Sequence, residues 1–329
     1  MKTYLIDTSG LDYEYEEAED AKYFDLRGTL RQDFGLEAAL LMPHSSSICS
    51  PISALLPIGK LALGAEGKTL RELQKAIGVD SDLSHDYDSP SDEVASQTHG
   101  MIPSILSSDD ISKNTSLVIV NAIYFAGKWK YPFSSVSVGT FHSAKGTRQI
   151  PMMSRTQDYA YTFSMPLMAQ IVRIPYHGDK ASFLIVLPKE RNGLDLVLQR
   201  LNSEPNLLAW AISKMEMTKV MLTMPKFKIE SEWDLRDLYQ KVGISTIFRS
   251  KKSELNNIVK SQTLVVSAAV QKAVIDVNEL GTEAGASSAI SIVNLSLVEP
   301  IILKADHPFL FFVMGSNQQL FCGIFNGLS

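Results

Sequence analysis

Leu117 to Trp129 reads LVIVNAIYFAGKW, and this stretch decides the fold class. Leu117 to Phe125 is nearly continuously apolar and β-branched, the composition of a strand covered on both faces. It predicts a central strand in a large sheet. Outward from it, further strands are expected at Ile171 to Pro175, Ala181 to Leu187, Lys219 to Lys228, Leu264 to Val277, Pro300 to Leu303 and Phe309 to Met314. Helical spacing marks Phe34 to Leu41, Ile52 to Leu63, Thr69 to Ile77, Leu194 to Met215 and Glu232 to Lys241, with Thr69 expected as a cap. A shorter helical piece is expected around Val94 to Leu106. The class is mixed α+β.

The 329 residues are 45% hydrophobic and 20% charged, which excludes a disordered or collagenous chain. The net charge of -5 gives no cationic excess to hold a phosphate backbone, so nucleic acid is not an expected partner. Apolar runs fall far short of the roughly 20 residues that cross a bilayer, so no membrane partner is expected either. A soluble monomer is the expectation. Met1 to Asp7 has no apolar core of a secretion signal, and the short sequons at Asn114 and Asn294 leave the compartment open. Cys49 and Cys322 both lie in apolar stretches, where a free thiol behaves as a small buried hydrophobe.

Leu11 to Leu26 carries seven acidic residues against Lys22 alone, with Tyr13, Tyr15 and Tyr23 interleaved. Like charges at this density repel, so residues 1–30 read as an acidic N-terminal tail and residues 31–329 as one domain. Asp80 to Glu93 reads as a polar connector.

Catalysis needs a nucleophile with its base, a metal cluster or a phosphate cradle. The sequence offers no G-x-S-x-G, H-E-x-x-H or glycine-rich phosphate motif, and its six histidines are scattered without ligand spacing. No enzyme activity, cofactor or metal is therefore expected. Gly281 to Ala289 is instead a run of small residues followed by the β-prone Ile290 to Val298, a segment able to serve as an exposed loop or as a strand.

Six motifs then resemble one family in its own order. They are Ser50-Pro-Ile-Ser53, Asn121 to Trp129 followed by Phe133, Phe183 to Pro188, Leu222 to Phe227, Val277 to Ala284, and Asp306 to Phe312. Together they resemble the serpins over Phe34 to the C-terminus. The resemblance implies three β-sheets, about eight or nine helices and an exposed reactive-centre loop, here about residues 279–300. It also implies inhibition of a serine protease by suicide-substrate trapping. The protease cuts the loop, forms its acyl-enzyme, and is dragged away as the loop inserts in the main sheet.

By the same resemblance the hinge is Glu279, Gly281, Thr282, Glu283, Ala284, Gly285 and Ala286, and the reactive bond is Leu295-Ser296. A Leu in that place suits a chymotrypsin-like or elastase-like protease, because apolar burial supplies the recognition. Ser50, Ser53 and Asn121 match the family's shutter. The tail with Tyr13, Tyr15 and Tyr23 is similar to that of heparin cofactor, which makes it a candidate exosite segment for a thrombin-like protease. Glycosaminoglycan is a further candidate partner, with Lys60, Lys68, Arg71 and Lys75 as its cations. The resemblance implies an extracellular protein, while the N-terminus as written leaves the cytoplasm open. A carrier, hormone-precursor or structural role stays open beside inhibition.

The sequence also departs from the family. Part of the main-sheet region, normally a helix, a strand, another helix and an edge strand, is missing between Gly78 and Val94, and Gln271 replaces the family's usual shutter histidine.

Overall fold

The computed structural model describes residues 6–7, 33–77, 117–250, 252–257, 264–282, 299–315 and 319–327. In chain order the elements begin with β1 (Ile6–Asp7), α1 (Asp33–Leu41), β2 (Ser47–Cys49), α2 (Pro51–Leu63), α3 (Gly67–Ile77) and β3 (Leu117–Ala126). There follow β4 (Ser135–Ser143), β5 (Gly146–Ser164), β6 (Ala169–Pro175), β7 (Ser182–Pro188), α4 (Leu194–Ser203) and α5 (Asn206–Ser213). The chain continues through β8 (Glu216–Pro225), β9 (Phe227–Asp234), α6 (Leu235–Lys241), β10 (Val266–Val277), β11 (Ile301–Lys304), β12 (Phe309–Met314) and β13 (Gln319–Phe325).

The Leu117 stretch is a central strand. β3 pairs in parallel with β10 from Leu117 to Phe125, and β10 pairs antiparallel with β9, giving the order β1-β3-β10-β9. On the other side of β3, Ile6 and Asp7 pair in parallel with Phe125 and Ala126. Ile6–Asp7, within the stretch expected as an acidic tail, forms a short strand of this sheet. The second sheet runs β11-β8-β5-β6-β7-β12-β13-β2, with β4 paired to β5. The 19 residues of β5 pair with β4 from Gly146 to Ser154, with β8 from Met152 to Tyr161 and with β6 from Ala160 to Ser164. The α+β class expected from the sequence holds, with six α-helices and these two sheets among the described residues.

Local chemistry fixes the ends. Ser50 caps α2 by accepting from the Ser53 N–H at 3.4 Å, and Pro51 occupies the first turn, where its missing N–H is no loss. Thr69 is not a cap. α3 begins two residues earlier, Glu254 accepts the Thr69 N–H at 3.0 Å, and the Thr69 hydroxyl donates to the Lys252 carbonyl at 3.3 Å. The expected helix from Leu194 to Met215 is two helices, because Pro205 cannot donate within a continuous helix. Lys219 to Lys228 is likewise split, with Pro225 ending β8. Glu232 to Asp234 stays in β9, alternating buried and exposed, and helix α6 starts where the Asp234 carboxylate accepts the Arg236 N–H at 2.9 Å.

Packing places the sheets against each other. Ile123, Phe125, Ala273, Ile275 and Val277 of the main sheet share one core with Phe183, Phe309, Phe311 and Phe325 of the second. A separate cluster packs α2, α3 and α6 against the far ends of β3 and β10. A third seats α1, α4 and α5 on the second sheet. Each fully buried large apolar side chain contributes about 1.5–3 kcal/mol, so the main sheet is held from both faces. No described helix is long and apolar enough to cross a membrane. Among the described residues no group of three or more His, Cys, Asp or Glu is placed to hold a metal ion.

Candidate functional site

β10 ends at Val277, and the chain turns at once. The Asn278 side chain accepts the N–H groups of Leu280 and Gly281 at 3.0 and 3.2 Å, the local bonding by which Asn favours turns. This turn is clamped to the segment leaving β3. Trp129 N–H donates to Leu280 O at 3.0 Å, Phe133 N–H to Glu279 O at 2.8 Å, and the Trp129 indole to Asn278 O at 2.8 Å. Lys226 closes the outer side on Glu279 at 2.8 Å, and that hydrogen bond chiefly holds the Glu279 carboxyl below its ordinary range.

Two of the residues expected in the hinge, Gly281 and Thr282, lie inside this clamp. Gly281 pairs with Lys128, and a β-carbon added to it would lie 2.1 Å from the Gly127 carbonyl oxygen and 2.6 Å from Lys128 Cα. Both neighbours are backbone. Gly281→Ala is therefore expected to lower stability by about 1–3 kcal/mol, the usual cost of overpacking, measurable as an earlier urea midpoint. An unchanged midpoint would show that the turn can move aside.

Thr282 follows, fully buried, its N–H on the Gly127 carbonyl and its hydroxyl 2.7 Å from that of Tyr176. The Tyr176 ring stacks on Trp129 at 4.5 Å and 13°, and burial pushes its hydroxyl pKa up. Thr282 is thus seated at the end of the seam between β3 and β10.

A second polar group sits beneath the middle of that seam. Gln271 of β10 faces Asn121 of β3 in register. The Gln271 amide accepts the Ser50 N–H and donates to the Ser50 carbonyl, both at 3.0 Å. Asn121 donates to the Ser53 carbonyl at 2.7 Å, and the Ser50 hydroxyl donates to Leu320 O at 2.8 Å. Ser50, Ser53 and Asn121 are all buried, so these bonds satisfy polar groups that have no water to turn to. They tie both strands of the seam to the start of α2.

The fold brings Glu279, Gly281 and Thr282 together at the top and Ser50, Ser53 and Asn121 below. Glu283, Ala284, Gly285, Ala286, Leu295, Ser296, Tyr13, Tyr15 and Tyr23 lie outside the described residues. Of the four cations, Lys68, Arg71 and Lys75 line one surface hollow with Lys241 and Glu72, while Lys60 is on α2. Glu72 is engaged by Ser245 and Thr246, and those bonds to the charged form hold its carboxyl low against the opposing effect of burial. Sequence reasoning missed Tyr176, whose only signal is its position next to Pro175, while Asn278 and Lys226 lie inside the motifs Val277 to Ala284 and Leu222 to Phe227 but were given no role there.

A family model described as Serpin (serine protease inhibitor) matches residues 88–327. The chain belongs to the serpin family. Among serpins, antichymotrypsin-2 of Bombyx mori is 33% identical over 348 residues, covering 86% of this chain and 92% of that relative. The leukocyte elastase inhibitor of Homo sapiens is 33% identical over 243 residues, or 71% of this chain and 64% of the relative. The crystal structure of Serpin48, a highly specific serpin in the insect Tenebrio molitor, aligns with a TM-score of 0.78 over 96% of this chain and 100% of that one. At 24% identity, that likeness is one of serpin fold.

Proposed function

We propose that this serpin inhibits chymotrypsin-like or elastase-like serine proteases, is cut once at Leu295-Ser296, and traps the acyl-enzyme by inserting its loop between β3 and β10. The observation that carries this reading is the seat of Thr282. It is buried at the mouth of the seam, so insertion begins from a residue already in place. Glu283, Ala284, Gly285 and Ala286 come next, and the three small residues add little bulk to a closed sheet. The names of the relatives, an antichymotrypsin and an elastase inhibitor, agree with an apolar Leu295 in the primary pocket. Chemically, the protease serine attacks the Leu295 carbonyl and the Ser296 amine leaves. Removal of the loop from the active site then strands the ester before water reaches it.

The test is incubation with chymotrypsin and with neutrophil elastase, followed by a denaturing gel. A covalent band at the summed mass, with loss of protease activity, is expected. Complete loop cleavage with the protease still active would overturn inhibition in favour of a non-inhibitory serpin. N-terminal sequencing of the released C-terminal peptide is expected to begin at Ser296, and another start would move the reactive bond.

A further inference from the structure

Neither proposed site uses the two thiols of the chain. Cys49 of β2 and Cys322 of β13 are direct partners in the antiparallel ladder, and both are free and buried. The edge that β2 turns to its partner can be read from its neighbour. Ile48 N–H donates to the Ser231 hydroxyl at 3.0 Å, and its carbonyl accepts the Trp233 indole at 2.7 Å. The backbone groups of Ile48 thus face β9, away from β13. Alternation along the strand then turns those of Cys49 toward Cys322, which makes the two a hydrogen-bonded pair with Cα atoms about 5.5 Å apart. That Cα separation falls in the ordinary span of disulfides, while the Cβ atoms, about 5.5 Å apart in such a pair, must draw together by about 1 Å for the sulfurs to bond.

The two side chains fall in separate core clusters that one helix covers. α1 packs over both, with Ala38 in the cluster of Cys49 and Leu36 and Ala39 in that of Cys322. A β-carbon on Gly35 would come within 2.8 Å of Cys322 Cβ, so the helix lies directly on this strand. One residue beyond Cys49, the Ser50 hydroxyl reaches the β13 carbonyl of Leu320.

We infer that Cys49 and Cys322 are a cross-strand redox pair, closed to a disulfide by thiol-disulfide exchange with a small-molecule disulfide such as oxidised glutathione. One cysteine thiolate attacks a glutathione sulfur, breaking its S–S bond and releasing one glutathione thiolate. The second cysteine thiolate attacks the mixed disulfide at the protein sulfur and releases the other glutathione. Two protein thiols are oxidised by two electrons, one glutathione disulfide is reduced to two thiols, and the cysteine protons pass to the leaving thiolates. Burial raises both cysteine pKa values and so suppresses the thiolate, which makes local opening under α1 the slow step. The product staples β2 to β13 beside the Ser50 network that anchors β10.

The test holds the folded full chain with oxidised glutathione for hours, then counts thiols in denaturant and maps peptides by mass. Loss of both thiols is expected, with a peptide pair joining Cys49 to Cys322 that a reductant separates. The linked form is expected to melt several degrees above its reduced twin, because the bridge constrains the unfolded chain. Cys322→Ser is expected to lose this product altogether. Two thiols still present after exposure that oxidises a denatured sample, glutathione adducts alone, or bridges only between molecules would each overturn the inference, and equal melting would overturn the staple.

Discussion

Thr282→Arg is expected to abolish the covalent complex and turn this serpin into a plain substrate of its protease. The native side chain is fully buried and its hydroxyl is paired with Tyr176. A guanidinium in that place would meet the neutral Tyr176 hydroxyl where the Thr282 hydroxyl now sits, and an unpaired buried charge costs several kcal/mol. Since every 1.4 kcal/mol is tenfold, the partition between insertion and hydrolysis should shift by at least about a hundredfold toward hydrolysis. Thr282→Val is the control. It removes one hydrogen bond at a cost of about 1 kcal/mol and should still form the complex. Complex yields equal for wild type and Thr282→Arg, read from the gel at matched protease, would show that this position never enters the sheet.

Trp129→Ala is expected to be the most destabilising single change at the top of the sheet, by about 3–5 kcal/mol. Trp129 is 2% exposed, stacks on Tyr176, meets Phe133 and Phe183 edge-on, and donates through its backbone and its indole to the turn that starts the loop. Removing it leaves a cavity and takes the shorter of two hydrogen bonds from the Asn278 carbonyl, which keeps the Gly281 N–H at 3.3 Å. Denaturant unfolding would measure the loss. Trp129→Phe keeps the stack and loses the indole bond, so it should recover more than half of that energy. If both variants lose the same amount, the indole hydrogen bond rather than the packing holds the turn.

Much of the frame was legible because buried strands are written in apolar runs. β3, β7 and β12 show this directly: nearly every residue from Phe183 to Pro188 and from Phe309 to Val313 is buried, and composition alone marks them. β4 and β5 were not legible. Ser135 to Val138 is exposed, and β5 mixes Arg, Gln, Thr and Asp with its apolar residues because one face of that region meets solvent. β13 was hidden by its position near the chain end.

The site divides the same way. Ser50, Ser53 and Asn121 were marked by their motifs, and the structure brings them to one seam. Gln271 was marked only as a replacement. Its amide both accepts and donates, so it grips the two backbone groups of Ser50 at once, which a residue's identity in a list of strand positions does not disclose. Tyr176 is 106 positions from Thr282, and Lys226 is 53 from Glu279. Pairs so far apart become visible only when the chain is folded.

If the proposed insertion is right, the parallel seam between β3 and β10 is where it would leave its record. Nine residue pairs hold it closed in the order β1-β3-β10-β9. A strand that leaves β10 through the turn at Asn278 and comes back between the two runs antiparallel to both. One slanted ladder is exchanged for two perpendicular ones, each slightly stronger per residue, and the second ladder has no counterpart in the starting sheet. Going back would give up two ladders to recover one. Under the proposed mechanism the exchange would be a ratchet: an unspent molecule would keep β3 beside β10, a spent one would keep a stranger between them, and counting the strands of that sheet would tell which event has already happened.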